Sequence, residues 1–172
     1  METSSTVFKP NQNSATLIIP PRLEHFVNRF VHHYRASGNS PIMIYGPTGV
    51  GKSLFLKIFK ILFQKHEAKN QTSRPVVWAN CAHCGGVNSD PNIARSELFG
   101  HVKGAFENAQ KDKIGLVHEA NGGALILEEI GELPPEVQAM LLTFIEDGVF
   151  RRVGSKQNDS ANVRIVGATN RE

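Results

Sequence analysis

The sequence predicts an α/β fold with a mainly parallel sheet, and three observations predict it. An apolar segment at 41–45 precedes a glycine-rich turn, and an apolar helical segment then runs from Ser53 to about His66. Strands that alternate with helices in this way are typical of βαβ units. The chain has 172 residues and 40% hydrophobic content, which suits one domain. Further short apolar segments predict strands at 76–80, 124–127 and 163–168.

Two amphipathic helices are predicted outside the glycine-rich turn. Between Leu23 and Tyr34 the apolar residues recur at helical spacing, and Gly38 is placed to end that helix. The second helix is predicted over Pro135–Asp147, with the proline near its first turn and Gly148 just past its end.

The ends and the charge of the chain restrict its class. Residues 1–15 are polar and predict a disordered leader, so the ordered domain is expected over 16–172. The formal net charge is +3 and the basic residues are scattered, so we expect no direct DNA binding. No segment reaches the roughly 18 apolar residues needed to span a bilayer, so we expect no membrane association and a cytoplasmic location.

The cysteines and histidines give weaker signals. Cys81 and Cys84 have the C-x-x-C spacing, which fits redox chemistry or half of a zinc site, but no second pair completes a metal cage. We interpret both cysteines as structural or incidental. The seven histidines, including His32 and His33, show no ligand spacing and are interpreted as surface or packing residues.

A phosphate-binding loop is the first specific motif. The segment at 46–53 matches G-x-x-x-x-G-K-[ST] and lies between a predicted strand and a predicted helix, where such a loop works. Backbone N–H groups and the helix N-terminus would face the phosphates, Lys52 would add positive charge, and Ser53 would bind Mg²⁺. ATP and Mg²⁺ are therefore the expected cofactors, and the binding residues are Gly46, Pro47, Thr48, Gly49, Val50, Gly51, Lys52 and Ser53.

An acidic pair follows the third predicted strand. Glu128 and Glu129 end the apolar run at 122–127 and would emerge at the carboxyl edge of the sheet, beside the phosphate loop. One carboxylate would bind Mg²⁺ and the other would polarise the attacking water; we assign these roles to Glu128 and Glu129 respectively. The alternative is a solvated turn or cap.

Four longer motifs then follow in order, and together they resemble sigma-54-dependent transcriptional activators. The resemblance covers roughly three quarters of the chain, from Ile42 to Glu172. The segments GPTGVGKS and LFGHVKGAF are similar to those of the RNA-repair-operon activator branch. It implies an AAA+ P-loop NTPase, a three-layer sandwich whose active form is a ring with ATP between subunits. The motifs are SELFGHVKGAF at 96–106, GGALILEEIGELP at 122–134, LLTFIEDGVFRRVGS at 141–155 and VRIVGATNR at 163–171.

The resemblance also implies residue roles. Glu129 matches the glutamate that activates water, and Asn80 matches the asparagine that switches this glutamate according to nucleotide state. Thr169 and Asn170 match the region that senses the γ-phosphate. Arg151 and Arg152 match a segment that faces a neighbouring subunit. For Asn80 a simple strand-end cap remains an alternative, and for the arginines a solvated position does.

One departure from the family concerns the loop that contacts sigma-54. Members carry GAFTGA there, whereas this chain reads GAFENA, so Glu107 adds a negative charge and Asn108 removes the freedom of a glycine. We expect weakened remodelling of sigma-54. Glu128 likewise stands where the family has aspartate, and we expect poorer Mg²⁺ binding or turnover. The loop comprises Gly104, Ala105, Phe106, Glu107, Asn108 and Ala109.

The second departure is the end of the resemblance at Glu172. The fifth core strand, the arginine fingers, the helical lid and any DNA-binding module of the family would follow later, so we expect a partial AAA+ domain, incomplete at the C-terminus. Without a fifth strand beside it, the segment 42–45 would lie on an open sheet edge. We interpret the chain as a fragment, a truncated product or a deliberately shortened chain.

Two functions are carried forward. The first is an ATPase core that remodels sigma-54 RNA polymerase, with that holoenzyme and a ring of identical subunits as partners. The second is a nucleotide-binding or interaction module without turnover. It is kept because the arginine fingers of the family would follow later, and a finger supplied in trans contributes about 10³ to 10⁵ in rate. A small P-loop kinase or a DNA-binding repressor lacks support from any acceptor site or basic stripe.

Overall fold

The computed structural model describes residues 6–8, 17–19, 21–38, 40–70, 72–84 and 90–171. The chain divides into two structural units: the first contains residues up to 40 together with 54–73, and the second contains 41–53 together with 74 onward. None of the helices in these described ranges is long and apolar enough to cross a membrane.

The first unit begins with a short antiparallel ribbon. Strand β1 (Thr6–Phe8) pairs with β2 (Leu17–Ile19), and Val7 lies opposite Ile18. The predicted disordered leader is therefore wrong for Thr6–Phe8, because β-branched and aromatic residues in this segment pair with a second apolar segment. The rest of that leader, residues 1–5 and 9–15, lies outside the described residues.

Two helices form most of the first unit. Helix α1 (Pro21–Ala36) covers the predicted amphipathic segment. Helix α2 (Lys52–Lys69) extends the segment predicted from Ser53 to about His66 by one residue at its start and about three at its end. Helix α2 begins in the second unit and continues in the first from Leu54. The helices meet through edge-to-face aromatic pairs, Phe30 with Phe55 at 5.5 Å and Tyr34 with Phe59 at 5.6 Å between ring centroids.

The second unit is built on a four-stranded parallel sheet, which confirms the predicted fold class. The strands lie in the order β3-β10-β7-β4, and all three pairings are parallel. Strand β3 lies at the edge of this sheet, and its Met43 and Tyr45 side chains are each 56% exposed. The four strands are β3 (Ile42–Tyr45), β4 (Val76–Asn80), β7 (Ala124–Glu128) and β10 (Arg164–Thr169).

Helices and turns cover this sheet. Helix α5 has the predicted bounds, and Gly148 ends it in the left-handed region (φ 69°) with its N–H bonded to the Phe144 carbonyl. Helix α3 was not predicted; the Asp90 side chain caps it by accepting from the Asn92 N–H at 2.9 Å. The elements are a 3₁₀ turn at Cys81–His83, α3 (Pro91–Phe99), α4 (Leu116–Glu119), a second 3₁₀ turn at Ile130–Glu132 and α5 (Pro135–Asp147).

Two short antiparallel pairs complete the unit. Strand β5 (Gly100–His101) pairs with β6 (Lys113–Ile114), and β8 (Val149–Phe150) pairs with β9 (Asp159–Ser160). A parallel bridge between His101 and Val153 joins the two pairs. Each of these four strands is two residues long, which is too short for an alternating pattern to predict it.

The core of the second unit lies against the central strand β7. Residues 124–127 of this strand are fully buried. Their sequence, ALIL, is uniformly apolar, which is expected of a strand that is covered on both faces. Side chains of α3 and α5, including Leu98, Phe99, Val137 and Phe144, belong to the same buried cluster. The cluster therefore fixes the carboxyl ends of β7 and β4, where the predicted site lies.

Candidate functional site

The phosphate loop joins β3 to α2, as predicted. Gly49 (φ 80°) and Gly51 (φ 103°) adopt left-handed conformations that a side chain would strain. Lys52 is 7% exposed, and its Nζ donates to the carbonyls of Gly46 at 2.9 Å and Pro47 at 3.3 Å. Ser53 is exposed at the first turn of the helix. The loop thus has its curved backbone and its cation in place.

The end of β10 contacts this loop directly. The Gly46 N–H donates to the Thr169 carbonyl at 3.2 Å, and the Asn170 side-chain amide donates to the Thr48 hydroxyl at 3.0 Å. Thr169 is 8% exposed, and its hydroxyl accepts from the Arg171 N–H at 3.0 Å. The structure therefore brings both predicted sensor residues to the phosphate loop, although the Thr48 contact has no signal in the sequence.

The acidic pair occupies the end of β7. Glu128 is half-buried and lies in register with Asn80 on β4. Glu129 follows in the left-handed region, at φ 51° and ψ 47°, and it is the one non-glycine residue of the described chain with positive φ. Its Oε2 is buried and has no hydrogen-bond partner among the described residues. A strained backbone and an unpartnered carboxylate oxygen are typical of functional sites.

Asn80 ends β4 and caps the turn that follows it. Its Oδ1 accepts from the Ala82 N–H at 3.0 Å, which is the capping role that the sequence left open. Asn80 also neighbours Glu128 through the strand register. A hydrogen bond from Asn80 to Glu129 is not among those of the described residues, so the switch between these two residues stays a prediction.

Both cysteines were predicted to be structural or incidental, and the first lies near Glu129 of the acidic pair. Cys81 is fully buried, and its pKa is raised from 9.0 to about 12, first by burial and then by the nearby Cys84 and Glu129. Burial also raises the pKa of Cys84. Both thiols are unbridged. They pack as small apolar residues and carry no charge at neutral pH.

These residues fit a nucleoside triphosphate with a hard divalent cation. The loop offers curved backbone and a buried lysine, and Glu129 Oε2 offers an unused acceptor. The Ser53 hydroxyl and the Glu128 carboxylate are oxygen donors of the kind that Mg²⁺ prefers. Within the described ranges no group of three or more His, Cys, Asp or Glu side chains forms a metal cage. Mg²⁺ usually binds through one or two protein ligands and phosphate oxygens, so none is required.

The predicted contact loop, residues 104–109, is separate in sequence from the phosphate loop and from the acidic pair. Hydrogen bonds within its own backbone close it. The Gly104 N–H donates to the Ala109 carbonyl at 2.8 Å, and the Ala109 N–H donates to the Phe106 carbonyl at 2.9 Å. Phe106 is 39% exposed, and Glu107 and Asn108 are exposed beside it.

The two arginines are both engaged within the chain. Arg151 is exposed and donates from Nε and Nη2 to Asn158 Oδ1 at 3.1 and 3.0 Å. Arg152 is half-buried and pairs with Asp159 Oδ2 at 2.9 Å and Asp112 Oδ2 at 3.9 Å. Asp112 in turn accepts from the Lys103 N–H at 2.7 Å. Arg152 therefore joins β9 to the base of the contact loop, while a role at a subunit boundary stays a prediction.

Comparisons with known proteins identify the family. The model of the sigma-54 interaction domain matches residues 22–172. The chain is 42% identical over 137 residues to the Nif-specific regulatory protein of Azotobacter vinelandii, covering 80% of this chain and 24% of the relative. It is 41% identical over 134 residues to the transcriptional regulator VasH of Vibrio cholerae, covering 78% of this chain and 23% of that relative.

A solved structure gives the same result. NtrX from Brucella abortus in complex with ATP matches with a TM-score of 0.59 and 31% identity, covering 84% of this chain and 29% of that chain. The chain spans about a quarter to a third of the length of the curated relatives it matches. Fold, motifs and relatives agree, and the chain belongs to the sigma-54 interaction domain family, the AAA+ domain of sigma-54-dependent enhancer-binding activators.

Proposed function

We propose that this chain is the ATP-binding core of a sigma-54-dependent transcription activator, which couples ATP hydrolysis to remodelling of sigma-54 RNA polymerase. The observation that carries the proposal is the tie between the phosphate loop and β10, made by Thr48 and Asn170 at 3.0 Å. It supports the proposal because Asn170, which would sense the γ-phosphate, contacts the loop that would hold the phosphates. The family match over residues 22–172 and the ATP complex of NtrX support it.

The loop residues would bind and orient the nucleotide. Lys52 already lies among loop carbonyls, 2.9 Å from that of Gly46, and would exchange these contacts for phosphate oxygens. Ser53 and Glu128 would hold Mg²⁺, which supplies charge neutralisation at the phosphates. Glu128 is half-buried at a strand end and is one methylene longer than the aspartate of the family, so we expect poorer Mg²⁺ binding or turnover.

Glu129 would act on water. Its buried Oε2 has no partner in the described chain and can accept a hydrogen bond from a water, and then its proton. The buried Leu127 and Ile130, close to it in the chain, would limit the access of competing solvent. Asn80, which is one strand away, would respond to the position of this carboxylate.

The loop with Phe106 would contact sigma-54. Phe106 is 39% exposed and is flanked by exposed Glu107 and Asn108. An apolar tip with an adjacent negative charge suits a partner surface with an apolar pocket and a nearby cation. Subunits in a ring would present several such tips together, which raises the effective concentration of the contact.

The first experiment is titration of the purified chain with MgATP by calorimetry. We expect micromolar binding, and we expect Lys52→Ala to abolish it because the buried cation of the loop is lost. Lys57→Ala is the matched control, since Lys57 is an exposed lysine on the same helix. Absence of binding by the folded wild-type chain, or equal loss in both variants, would refute the proposed nucleotide site.

A second candidate, a nucleotide-binding module without turnover, is favoured by one observation. Glu128 stands where the family has aspartate, and the longer side chain is expected to weaken Mg²⁺ binding or turnover. Adding a complete activator that carries arginine fingers separates the two candidates. Rescued ATP hydrolysis that requires Glu129 in this chain supports the ATPase; nucleotide binding with no rescue supports the module.

A further inference from the structure

The contact loop is held against a specific histidine. The Phe106 ring packs edge-on against the His101 ring, with centroids 4.9 Å apart and planes at 63°. The loop backbone is closed by the hydrogen bonds from Gly104 to Ala109 and from Ala109 to Phe106, and Ala109 is 5% exposed. More than half of the Phe106 surface is therefore covered in this conformation.

His101 is itself fixed from several sides. Its Nδ1 lies 2.7 Å from the hydroxyl of Ser96, which is only 5% exposed and belongs to α3. Its backbone pairs with Lys113 on β6 and with Val153. A histidine that is fixed in backbone and ring orientation presents one face to the loop.

We propose that His101 is a positioning residue that holds Phe106 in a folded-back position, and that Ser96 sets the orientation of the imidazole. The role of the loop in contacting sigma-54 rests on the proposed function, whereas the hold on Phe106 stands on the geometry of this chain. Opening the loop breaks the ring contact and the two backbone hydrogen bonds, while the His101–Ser96 bond remains. The histidine thus selects between a covered and an exposed apolar tip.

Removal of the ring contact shifts this balance in a measurable way. Aromatic pairs stabilise one arrangement enough to change a two-state population by about two- to tenfold. His101→Leu removes both the edge-on contact and the bond to Ser96. His101→Phe keeps an aromatic ring but loses that bond, and Ser96→Ala keeps the imidazole but frees its rotation. Exposure of the Phe106 side chain is expected to increase from wild type, through the two partial variants, to His101→Leu.

The first readout is fluorescence of an indole placed at the tip. The chain has one tryptophan, so Phe106→Trp in a Trp78→Phe background reports the loop alone. We expect His101→Leu to raise the acrylamide quenching constant about twofold or more, and Ser96→Ala to raise it less. His25→Leu is the matched control, because His25 also packs edge-on against a phenylalanine, Phe26, at 5.9 Å in the other unit. It should leave the quenching constant unchanged.

The second readout uses the native loop without an indole. Amide hydrogen exchange at Gly104 and Ala109 should accelerate in His101→Leu, while exchange at Ile165 and Val166 in the core strand stays at wild-type rates. Unchanged loop exchange and unchanged quenching in folded His101→Leu would overturn the proposal. If that variant does not fold, Ser96→Ala and His101→Phe decide it by the same two readouts.

A binding arm separates this inference from the proposed function. Sigma-54 holoenzyme is titrated against wild type and His101→Leu without nucleotide. Tighter binding by His101→Leu, with a looser loop, supports both the hold on Phe106 and the sigma-54 contact, since a purely structural residue would weaken binding when removed. A looser loop with unchanged holoenzyme binding supports the hold on Phe106 and counts against the sigma-54 contact.

Discussion

The side-chain amide of Asn170 donates a 3.0 Å hydrogen bond to the hydroxyl of Thr48 across 122 positions of sequence. The bond joins the end of β10 to the phosphate loop, and the Gly46 N–H strengthens the same junction by donating to Thr169. The loop is therefore held by two contacts at the end of β10.

Loss of this bond should weaken nucleotide binding. Thr48→Ala and Asn170→Ala are each expected to reduce MgATP affinity by about three- to tenfold, the usual effect of one neutral hydrogen bond. The double variant should bind no worse than the weaker single one, because both remove the same contact. Calorimetry measures this, with Thr143→Ala as control because that exposed hydroxyl bonds only within α5, to the Ala139 carbonyl. Fully additive losses would show that the two residues act independently.

Glu129 should contribute to activity at the expense of stability. Its left-handed backbone (φ 51°) and its unpartnered buried carboxylate oxygen both cost free energy of folding. Glu129→Gly is expected to raise the free energy of unfolding by about 1 kcal/mol in urea titrations and to remove any hydrolysis. Glu146→Gly, in the exposed face of α5, should instead lower it by about 0.5–1 kcal/mol. Equal destabilisation by both would mean that the backbone at Glu129 is not strained.

Cys81 should make the chain sensitive to alkaline pH. Its folded-state pKa, about 12, lies above the ordinary value of 9.0, so the thiol stays protonated in the folded chain while the unfolded chain loses its proton. The stabilisation is complete below pH 9 and is lost as the pH rises toward 12, with a slope of at most about 1.4 kcal/mol per pH unit. Urea unfolding between pH 8 and pH 10 should show a flatter decline in Cys81→Ala. Parallel declines in the two proteins would contradict the assignment.

Gly154 should be required under the contact loop. A Cβ on this residue would lie 2.7 Å from that of Ala105, and its φ is +79°. Gly122 has nearly the same φ, +78°, but an added Cβ there meets nothing within 4 Å. Gly154→Ala should therefore destabilise the chain by about 1–3 kcal/mol more than Gly122→Ala and accelerate amide exchange at Gly104. Identical effects would show that only backbone strain matters at Gly154.

Local patterns in the sequence were sufficient for the four strands, for α5 and for the phosphate loop. Regular periodicity predicted α5 with its observed bounds, and the four apolar segments became the four strands of the parallel sheet. The glycine-rich match placed the phosphate loop between β3 and α2 as expected. These features depend on local patterns that one element carries by itself.

Contacts between distant residues were not predictable in the same way. Helix α3 has only nine residues, and its four buried side chains include Ser96, so its apolar face has no clean period. The approach of Cys81 to Glu129, and of Asn170 to Thr48, depends on strand order, which no single segment specifies. The strand at Thr6–Phe8 was missed because three residues carry too little pattern to outweigh a polar setting.

The strand order β3-β10-β7-β4 sets the distances between the strand ends along the carboxyl edge of the sheet. Neighbouring strands lie about 4.8 Å apart, so the end of β7 is about 10 Å from the end of β3, and the end of β4 about 14 Å. For a nucleotide bound as proposed, the first two phosphates would lie at the loop, and only the third would extend to Asn170 and toward Glu129. ADP would then contact fewer strand ends than ATP, so loss of the third phosphate would end the contact of the nucleotide with the more distant strand ends.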